Sequence, residues 1–315
     1  MNLNKLKTKQ KSLISLVFKQ ADWKFLPFFL PFSYLGARVC YSAKHPLLLF
    51  EEEKFQNQEK FKEFLMRLKK AGHHSVFAHT PIFVSLKGLS IEEKFNLATT
   101  YFKVFWDEEK GLALFNLRHF SENLSEEEFS KLISCEITLS FLKVIFYRNW
   151  KKVFEGFFEE FPLKGLEKKS EIFTAPEVII LKVEKEHPFE WIGVIVHGFS
   201  RIFSHQFVRH TWLNFNQRSH RYTFVDSFVL PESFPEDLIE LYLKQIKSGM
   251  EVYRKFSERV HRESLRFVLP QGVSTTLLAT GPLMVWEDFV SKRAIPQAQG
   301  EIRKLAFILK DEMGL

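Results

Sequence analysis

The sequence predicts an α+β fold in which helices dominate. Long stretches repeat apolar residues at helical spacing, and between them lie short runs of β-type residues bounded by turn signals. Composition sets the scale: 45% of the 315 residues are hydrophobic and 36 are Phe, enough apolar surface to offset the entropy of ordering the chain. A disordered chain is therefore excluded, and the length suits one large domain or two ordinary ones.

The N-terminus is basic (Lys5, Lys7, Lys9, Lys11), and the apolar run Leu13–Phe18, interrupted by Ser15, is too short for a secretory core. Phe25–Phe32 is greasy but holds Pro27 and Pro31 and falls far short of a membrane span. Two cysteines, Cys40 and Cys135, make neither a disulfide framework nor a four-thiolate metal site. A soluble, cytoplasmic protein without a membrane partner is expected.

The first clear helix is expected from Gln58 to Ala71, with Phe61, Phe64, Leu65 and Leu68 on one face and Gly72 at the left-handed C-cap position. Ser75–Leu86 reads as a strand, as do Leu112–Leu117 and Trp191–Val196. Ser125-Glu-Glu-Glu128 is a capping-box opening for a helix. Another helix should begin at Ser200 and run to Arg209. Pro235 to Phe267 reads as one long amphipathic helix, with Leu238, Leu241, Ile246, Met250, Tyr253, Phe256 and Val260 in period, ending before the Leu269-Pro270 step. The last helices are expected at Pro282–Lys292 and Gln297–Leu309.

Polar chemistry concentrates between Ser204 and Tyr222. This stretch holds Arg209, Arg218 and Arg221, together with His205, His210 and His220, Gln206 and Gln217, and Asn214 and Asn216, interleaved with Trp212, Phe215 and Tyr222. Guanidinium forks suit phosphate, amides suit base edges, and rings offer stacking faces. The net charge of +7 and a pI near 9.2 point the same way, toward an anionic partner. Together they read as a nucleotide pocket, with a solvated basic loop or a strip for nucleic acid as the lesser alternatives. The phosphate loop G-x-x-x-x-G-K-[ST], the dinucleotide motif G-x-G-x-x-G and the nucleophile elbow G-x-S-x-G do not occur. His73, His74 and His79 have no carboxylate or thiolate spaced with them, so no metal site is expected.

The run S-R-x-x-S-H-Q-x-V-R-H-x-x-x-x-x-x-Q-x-S-x-R-Y, from Ser200 to Tyr222, resembles the signature of flavin-dependent thymidylate synthases. Ala37-Arg-Val-Cys-Tyr41 and Gly72-His73-x-Ser75-Val-x-x-His79 match upstream. Leu265-Arg266-x-Val-Leu-Pro270, Thr280-Gly281, Trp286, Phe289, Arg293-Ala294 and Glu301-Ile-Arg303 follow downstream in order. The resemblance covers residues 1–87 and 189–315, and leaves 88–188 as an insertion. That insertion is rich in phenylalanine (Phe102, Phe105, Phe115, Phe120, Phe129, Phe141, Phe146, Phe154, Phe157, Phe158) and is expected to pack against the core or a neighbouring subunit.

The resemblance implies a central antiparallel sheet flanked by long helices, a homotetramer with sites shared between subunits, and conversion of dUMP to dTMP. The methylene comes from methylenetetrahydrofolate, and the hydride from FAD reduced by NADPH. Carried over by position, Gln206, Arg209, Gln217, Arg218, Ser219, His220, Arg221, Arg266 and Arg293 hold dUMP, with Arg293 and Ser219 catalytic and Arg293 favouring ionised uracil N3. His73, Ser75, Arg209, His210, Thr211 and Gln217 fall at flavin positions. Thr211, Ala78, Pro282, Met284 and Gln297 depart from the family pattern, mostly on the flavin side, which implies weakened FAD binding. Asn116-Leu-Arg118 repeats the lost N-x-R spacing and stands as a replacement. Two alternatives differ in class: a diverged paralogue that binds a pyrimidine nucleotide without catalysis, serving as a partner subunit, and an RNA-binding protein.

Overall fold

The computed structural model describes residues 8–9, 13–14, 23–100, 103–134, 139–151, 173–225, 227–231 and 234–315. Cys135, Phe102, Phe154, Phe157 and Phe158 lie outside them. The chain divides into two units: Met1–Ala37, Leu47–Lys143 and Lys182–Trp191 form the first, and Arg38–Pro46, Val144–Leu181 and Ile192–Leu315 the second.

In the first unit, strands β1 (Trp23–Phe25), β2 (Pro81–Ser85), β3 (Phe105–Asp107) and β4 (Leu112–Asn116) form an antiparallel sheet in the order β1-β2-β4-β3. With them go helices α1 (Leu30–Tyr41), α2 (Gln58–Lys70), α3 (Ile91–Thr100), α4 (Leu117–Ser121) and α5 (Glu126–Ile133). The end of α2 matches its sequence signal, since Gly72 follows with φ of +74°. Ser125 caps α5 through a reciprocal box with Glu128, satisfying two otherwise orphaned amides. Phe115, Phe120 and Phe129 bury in one core with Phe55, Phe61 and Phe77, an interior shared with α2, while Phe95 is exposed.

One element differs from expectation here. Residues 74–79 form a 3-10 helix, His74–His79, and the strand begins only at Pro81. Val76, Phe77, Ala78 and His79 are all buried, and Val76 and Phe77 enter the same core. A 3-10 path spreads these consecutive side chains around its axis, so burial of all four means the segment is enclosed on every side. Thr80 fixes the exit, with its hydroxyl 2.6 Å from Ser33 Oγ and donating to Phe29 O at 3.2 Å.

A second sheet, order β5-β6-β7-β9-β8, is built from β5 (Leu142–Asn149), β6 (Glu177–Val183), β7 (Trp191–Ser200), β8 (Asn214–Gln217) and β9 (Ser274–Pro282). Strands β8 and β9 are antiparallel, pairing Asn214 with Thr280 and Gln217 with Leu277. Helices α6 (Arg201–Phe207), α7 (Glu236–Ser257), α8 (Arg262–Leu265), α9 (Leu283–Arg293) and α10 (Gly300–Met313) complete the second unit. The strand β7 outruns its expected end at Val196 and reaches Ser200. The last helix starts three residues later than its sequence suggested, because the Gln299 side chain accepts from Ile302 N and makes the cap.

The expected single helix over Pro235–Phe267 is broken. It stops at Ser257, resumes as α8, and ends in a 3-10 turn, Arg266–Val268. The buried face of α7 is Ile239, Leu243, Ile246, Met250 and Tyr253, while Leu238, Leu241 and Phe256 are exposed. On a continuous helix Leu265 would lie about 120° around the axis from Tyr253. The break returns Leu265 to the core that Tyr253 occupies.

Gly198 in β7 has φ of +74°, and a Cβ there would sit 2.6 Å from the Ala175 carbonyl oxygen. Backbone cannot yield as a flexible side chain can. Gly198→Ala is expected to lower the melting temperature by several degrees, measurable by thermal unfolding.

Candidate functional site

The polar stretch after β7 is held by a helix cap. Ser200 Oγ accepts from Phe203 N, and Ser200 itself is gripped by Glu301, whose carboxylate takes the Ser200 backbone N–H at 2.8 Å and its hydroxyl. The helix α6 then sends Phe203 and Phe207 into an aromatic cluster with Phe199, Trp286 and Phe289. Gln206, one position before Phe207, faces elsewhere. The helix stops at Val208, and the chain turns through Arg209 and His210 into β8.

Two groupings of side chains result. In the first, Arg293 at the end of α9 donates from Nε to His210 Nε2 at 2.9 Å and from a terminal nitrogen to Gln206 Oε1 at 3.4 Å. The His210 ring packs edge-on against Phe289. Burial, then the positive charge of Arg293, pushes the His210 pKa down to about 4, so a neutral imidazole accepts the arginine hydrogen bond near neutral pH. The Arg293 fork is thereby oriented with donors to spare.

The second grouping surrounds His220, which is 8% exposed. Its pKa is pushed down to about 4, first by burial and then by Arg201, Arg218 and Arg266. Arg201 opens α6, whose first turn holds no acid, and its own pKa is lowered by burial and by Arg266. A half-buried guanidinium at a helix N-terminus opposes the helix dipole. Three arginines around a neutral histidine make a site whose electrostatic cost an anion would offset. Arg218, buried, is steadied by bonds from Nε to Thr223 Oγ1 and from a terminal nitrogen to Phe224 O, both 3.2 Å.

The turn that follows is pinned by backbone. Ser219 N donates to Cys40 O at 3.0 Å, and Tyr222 N and Thr223 N both donate to Ser219 O at 3.0 Å. The Ser219 hydroxyl accepts from Arg221 N at 3.3 Å. Cys40 itself takes the Asn216 amide on Sγ at 2.9 Å, and burial raises its pKa, which keeps it a thiol.

The residues expected from the sequence thus behave differently. Gln206, His210 and Arg293 meet, and Arg218 and His220 are buried in one turn. Arg266 is exposed, donates from Nε to Glu263 O at 3.1 Å and acts on His220 only through its charge. Arg221 is instead committed to an exposed ion pair with Glu263 at 3.0 Å. Gln217 donates its amide to Thr275 Oγ1 at 3.0 Å, while Arg209 and Thr211 stay exposed. His73, Ser75, Asn116 and Arg118 belong to the first unit. Ser75 is exposed, Asn116 is buried at the start of α4, and Arg118 pairs with Glu122 at 2.7 Å. Sequence reasoning left Arg201 without a role although it lies inside the Ser200–Tyr222 run. An arginine directly after a helix cap, where an acid is favoured, was the available signal.

For a flavin, the second unit alone offers a thin donor set. Arg209 and Thr211 are open, but the Gln217 amide is bonded to Thr275 and His210 Nε2 to Arg293. These residues do not by themselves make a flavin cradle. They fit a small phosphorylated ring better, since the three-arginine group suits a phosphate and the Arg293–Gln206 pair suits a polar ring edge.

Among the described residues no helix is long and apolar enough to cross a membrane. Residues 174–314 match the family model described as thymidylate synthase complementing protein. The flavin-dependent thymidylate synthase of Pyrococcus furiosus is 36% identical over 127 residues, covering 38% of this chain and 52% of the relative. That of Thermococcus onnurineus is 35% identical over the same coverage. The chain thus spans about half the length of the curated relatives it matches. Of solved structures, a UMP/dUMP methylase, PolB from Streptomyces cacaoi bound with 5-Br dUMP, is similar at TM-score 0.36 and 20% identity, over 39% of this chain and 66% of that one. So partial an overlap carries no weight for function. The resemblance to flavin-dependent thymidylate synthases therefore lies in residues 174–314, the stretch from just before β6 through α10.

Proposed function

We propose that this protein binds dUMP and methylates its uracil at C5 to give dTMP, with methylenetetrahydrofolate as one-carbon donor, FAD as redox cofactor and NADPH as reductant, in a homotetramer with shared sites. One observation carries the reading: Arg218 and His220 are both buried within one short turn, where burial and then the charges of Arg201, Arg218 and Arg266 hold the His220 pKa down. In this reading the phosphate binds there. The neutral His220 adds a hydrogen bond without adding charge, and the Ser219 turn places the sugar.

The uracil edge faces Gln206 and Arg293. Arg293, oriented by His210, favours loss of the N3 proton, and the resulting anion delocalises toward C5 and makes that carbon nucleophilic toward the methylene group. With its pKa near 4, His210 does not hold that proton near neutral pH, so water takes it. A bound flavin would supply hydride transfer. Arg209, Gln217 and Arg221 border the nucleotide. His73, Ser75, Thr211, Asn116 and Arg118 are proposed at the flavin, and residues 88–173, the part of the 88–188 segment outside the family match, are proposed as an addition to the family core.

Calorimetric titration with dUMP tests the carrying observation. Tight binding is expected, weakened about tenfold in Arg201→Ala through loss of roughly 1.5 kcal/mol of charge-assisted bonding. Deoxyuridine, which has no phosphate, should bind weakly to both forms. Equal binding of dUMP by the two forms would sink the phosphate assignment. Production of dTMP from dUMP, methylenetetrahydrofolate, FAD and NADPH tests the reaction.

The exposed Thr211, where the family motif has arginine, favours a second reading, a nucleotide-binding paralogue without redox chemistry. It predicts dUMP binding with no flavin uptake. Thr211→Arg should tighten FAD binding about tenfold by restoring one charged contact, followed by flavin fluorescence. No change would show that Thr211 does not face the flavin.

A further inference from the structure

A side-chain cluster in the second unit has no part in the nucleotide site. His45, in the segment after α1, Glu177 at the start of β6 and His197 in β7 bring one potential ligand atom each to within 4.8 Å of one another. His45 Nε2 lies 2.7 Å from Glu177 Oε2. The two imidazole rings are 5.1 Å apart at 75°. Two imidazole nitrogens and one carboxylate from three separate segments are the donor set of an open zinc site, which leaves a fourth position to water.

The surroundings hold these donors in place. Glu177 is 8% exposed, yet both its oxygens are engaged: Oε2 accepts from the Tyr147 hydroxyl at 2.9 Å and Oε1 from the Asn149 amide at 3.0 Å. Both partners are neutral and come from β5, so the carboxylate keeps its orientation whatever His45 does. On the far side, His197 Nδ1 lies 2.8 Å from Thr276 Oγ1, a contact that fixes the orientation of the ring. Metal-bound histidines are typically held in this way, through the other ring nitrogen. His45 is the adjustable member, its side chain 30% exposed, which also provides a path for entry.

We propose that His45 Nε2, the Glu177 carboxylate and the His197 imidazole bind a divalent zinc-class ion that clips the 42–46 segment to β6 and β7. Metal–ligand distances of about 2.0–2.2 Å place tetrahedral ligand atoms roughly 3.4 Å apart. The 2.7 Å contact between His45 and Glu177 then opens, and the wider separations close, by rotation of the His45 ring. The segment matters because Cys40, five residues before His45, presents the carbonyl that accepts Ser219 N. The proposal stands apart from the nucleotide reading, and its test involves no nucleotide.

Chelator-treated full-length protein titrated with zinc chloride by calorimetry should take up one equivalent at micromolar affinity or better. His45→Ala and His197→Ala should each weaken binding at least 100-fold, and Thr276→Val, which removes only the orienting hydroxyl, about tenfold. Cobalt(II) added to the unmodified protein should give the visible bands of four-coordinate cobalt, a readout that needs no variant to fold. Zinc binding of unchanged strength in the His45→Ala/His197→Ala double variant overturns the proposal. So does the absence of both zinc uptake and cobalt bands in the unmodified protein.

Discussion

Under the proposed function, Arg293→Ala is expected to lower kcat for dUMP methylation by about 10²–10³-fold, the loss that follows removal of one preorganised donor from a developing anion. The guanidinium is held by His210 at 2.9 Å and Gln206 at 3.4 Å, so its charge is in place before the uracil ring loses its proton. Arg293→Lys should recover only part of the loss, because a point charge on a flexible stem cannot make both bonds and still face the ring. The pH profile separates this role from simple misfolding. Without Arg293 the variant's rate should climb with pH toward the ionisation of uracil N3, while the unmodified enzyme levels off earlier. A kcat within tenfold of the parent, or a profile of unchanged shape, would remove Arg293 from the chemistry.

Acidification from pH 7 to pH 4 should remove about 2–3 kcal/mol of stability through His220 alone. An unfolded histidine takes up a proton near pH 6.5, but burial and then Arg201, Arg218 and Arg266 hold the folded His220 neutral down to about 4. Between these values the unfolded chain binds more protons than the native one, so this stability is present above pH 6.5 and is lost as pH falls toward 4. Urea denaturation across that range measures it. His220→Gln should flatten the dependence, because an amide keeps the polar contact and has nothing to titrate. A phosphate-bearing nucleotide should strengthen the acid limb's resistance by drawing His220 back toward its ordinary pKa. A variant as acid-sensitive as the parent would show that other groups govern the limb.

The density of arginine and histidine from Arg209 to Arg221 and the motif reaching Arg293 were visible in residue types alone, and they carry the expectation of a phosphorylated, polar-edged ligand. Helix ends marked by local chemistry were read correctly: Gly72 after α2 and the Ser125–Glu128 box are interactions among neighbours in sequence. The 3-10 path at His74–His79 and the break between Ser257 and Arg262 were not legible, because each is imposed by a core assembled from distant segments. The apolar period of α7 was visible, but Leu238, Leu241 and Phe256 read as core and are exposed. A helix with apolar residues around much of its circumference does not say which stripe faces inward.

By itself the sequence determined which functional groups exist and, where neighbours in the chain decide, which turn or cap each one makes. The tertiary structure decided what those groups do to one another. Arg201 is a residue after a cap until Arg266, far along the chain, is brought near it, and His220 is an ordinary imidazole until three arginines and burial deny it a proton. His45, Glu177 and His197 share no motif spacing and become a donor set only when the 42–46 segment meets β6 and β7. The physical reason is that electrostatic and coordination energies depend on distance through space and on local burial, and neither is fixed by separation along the chain.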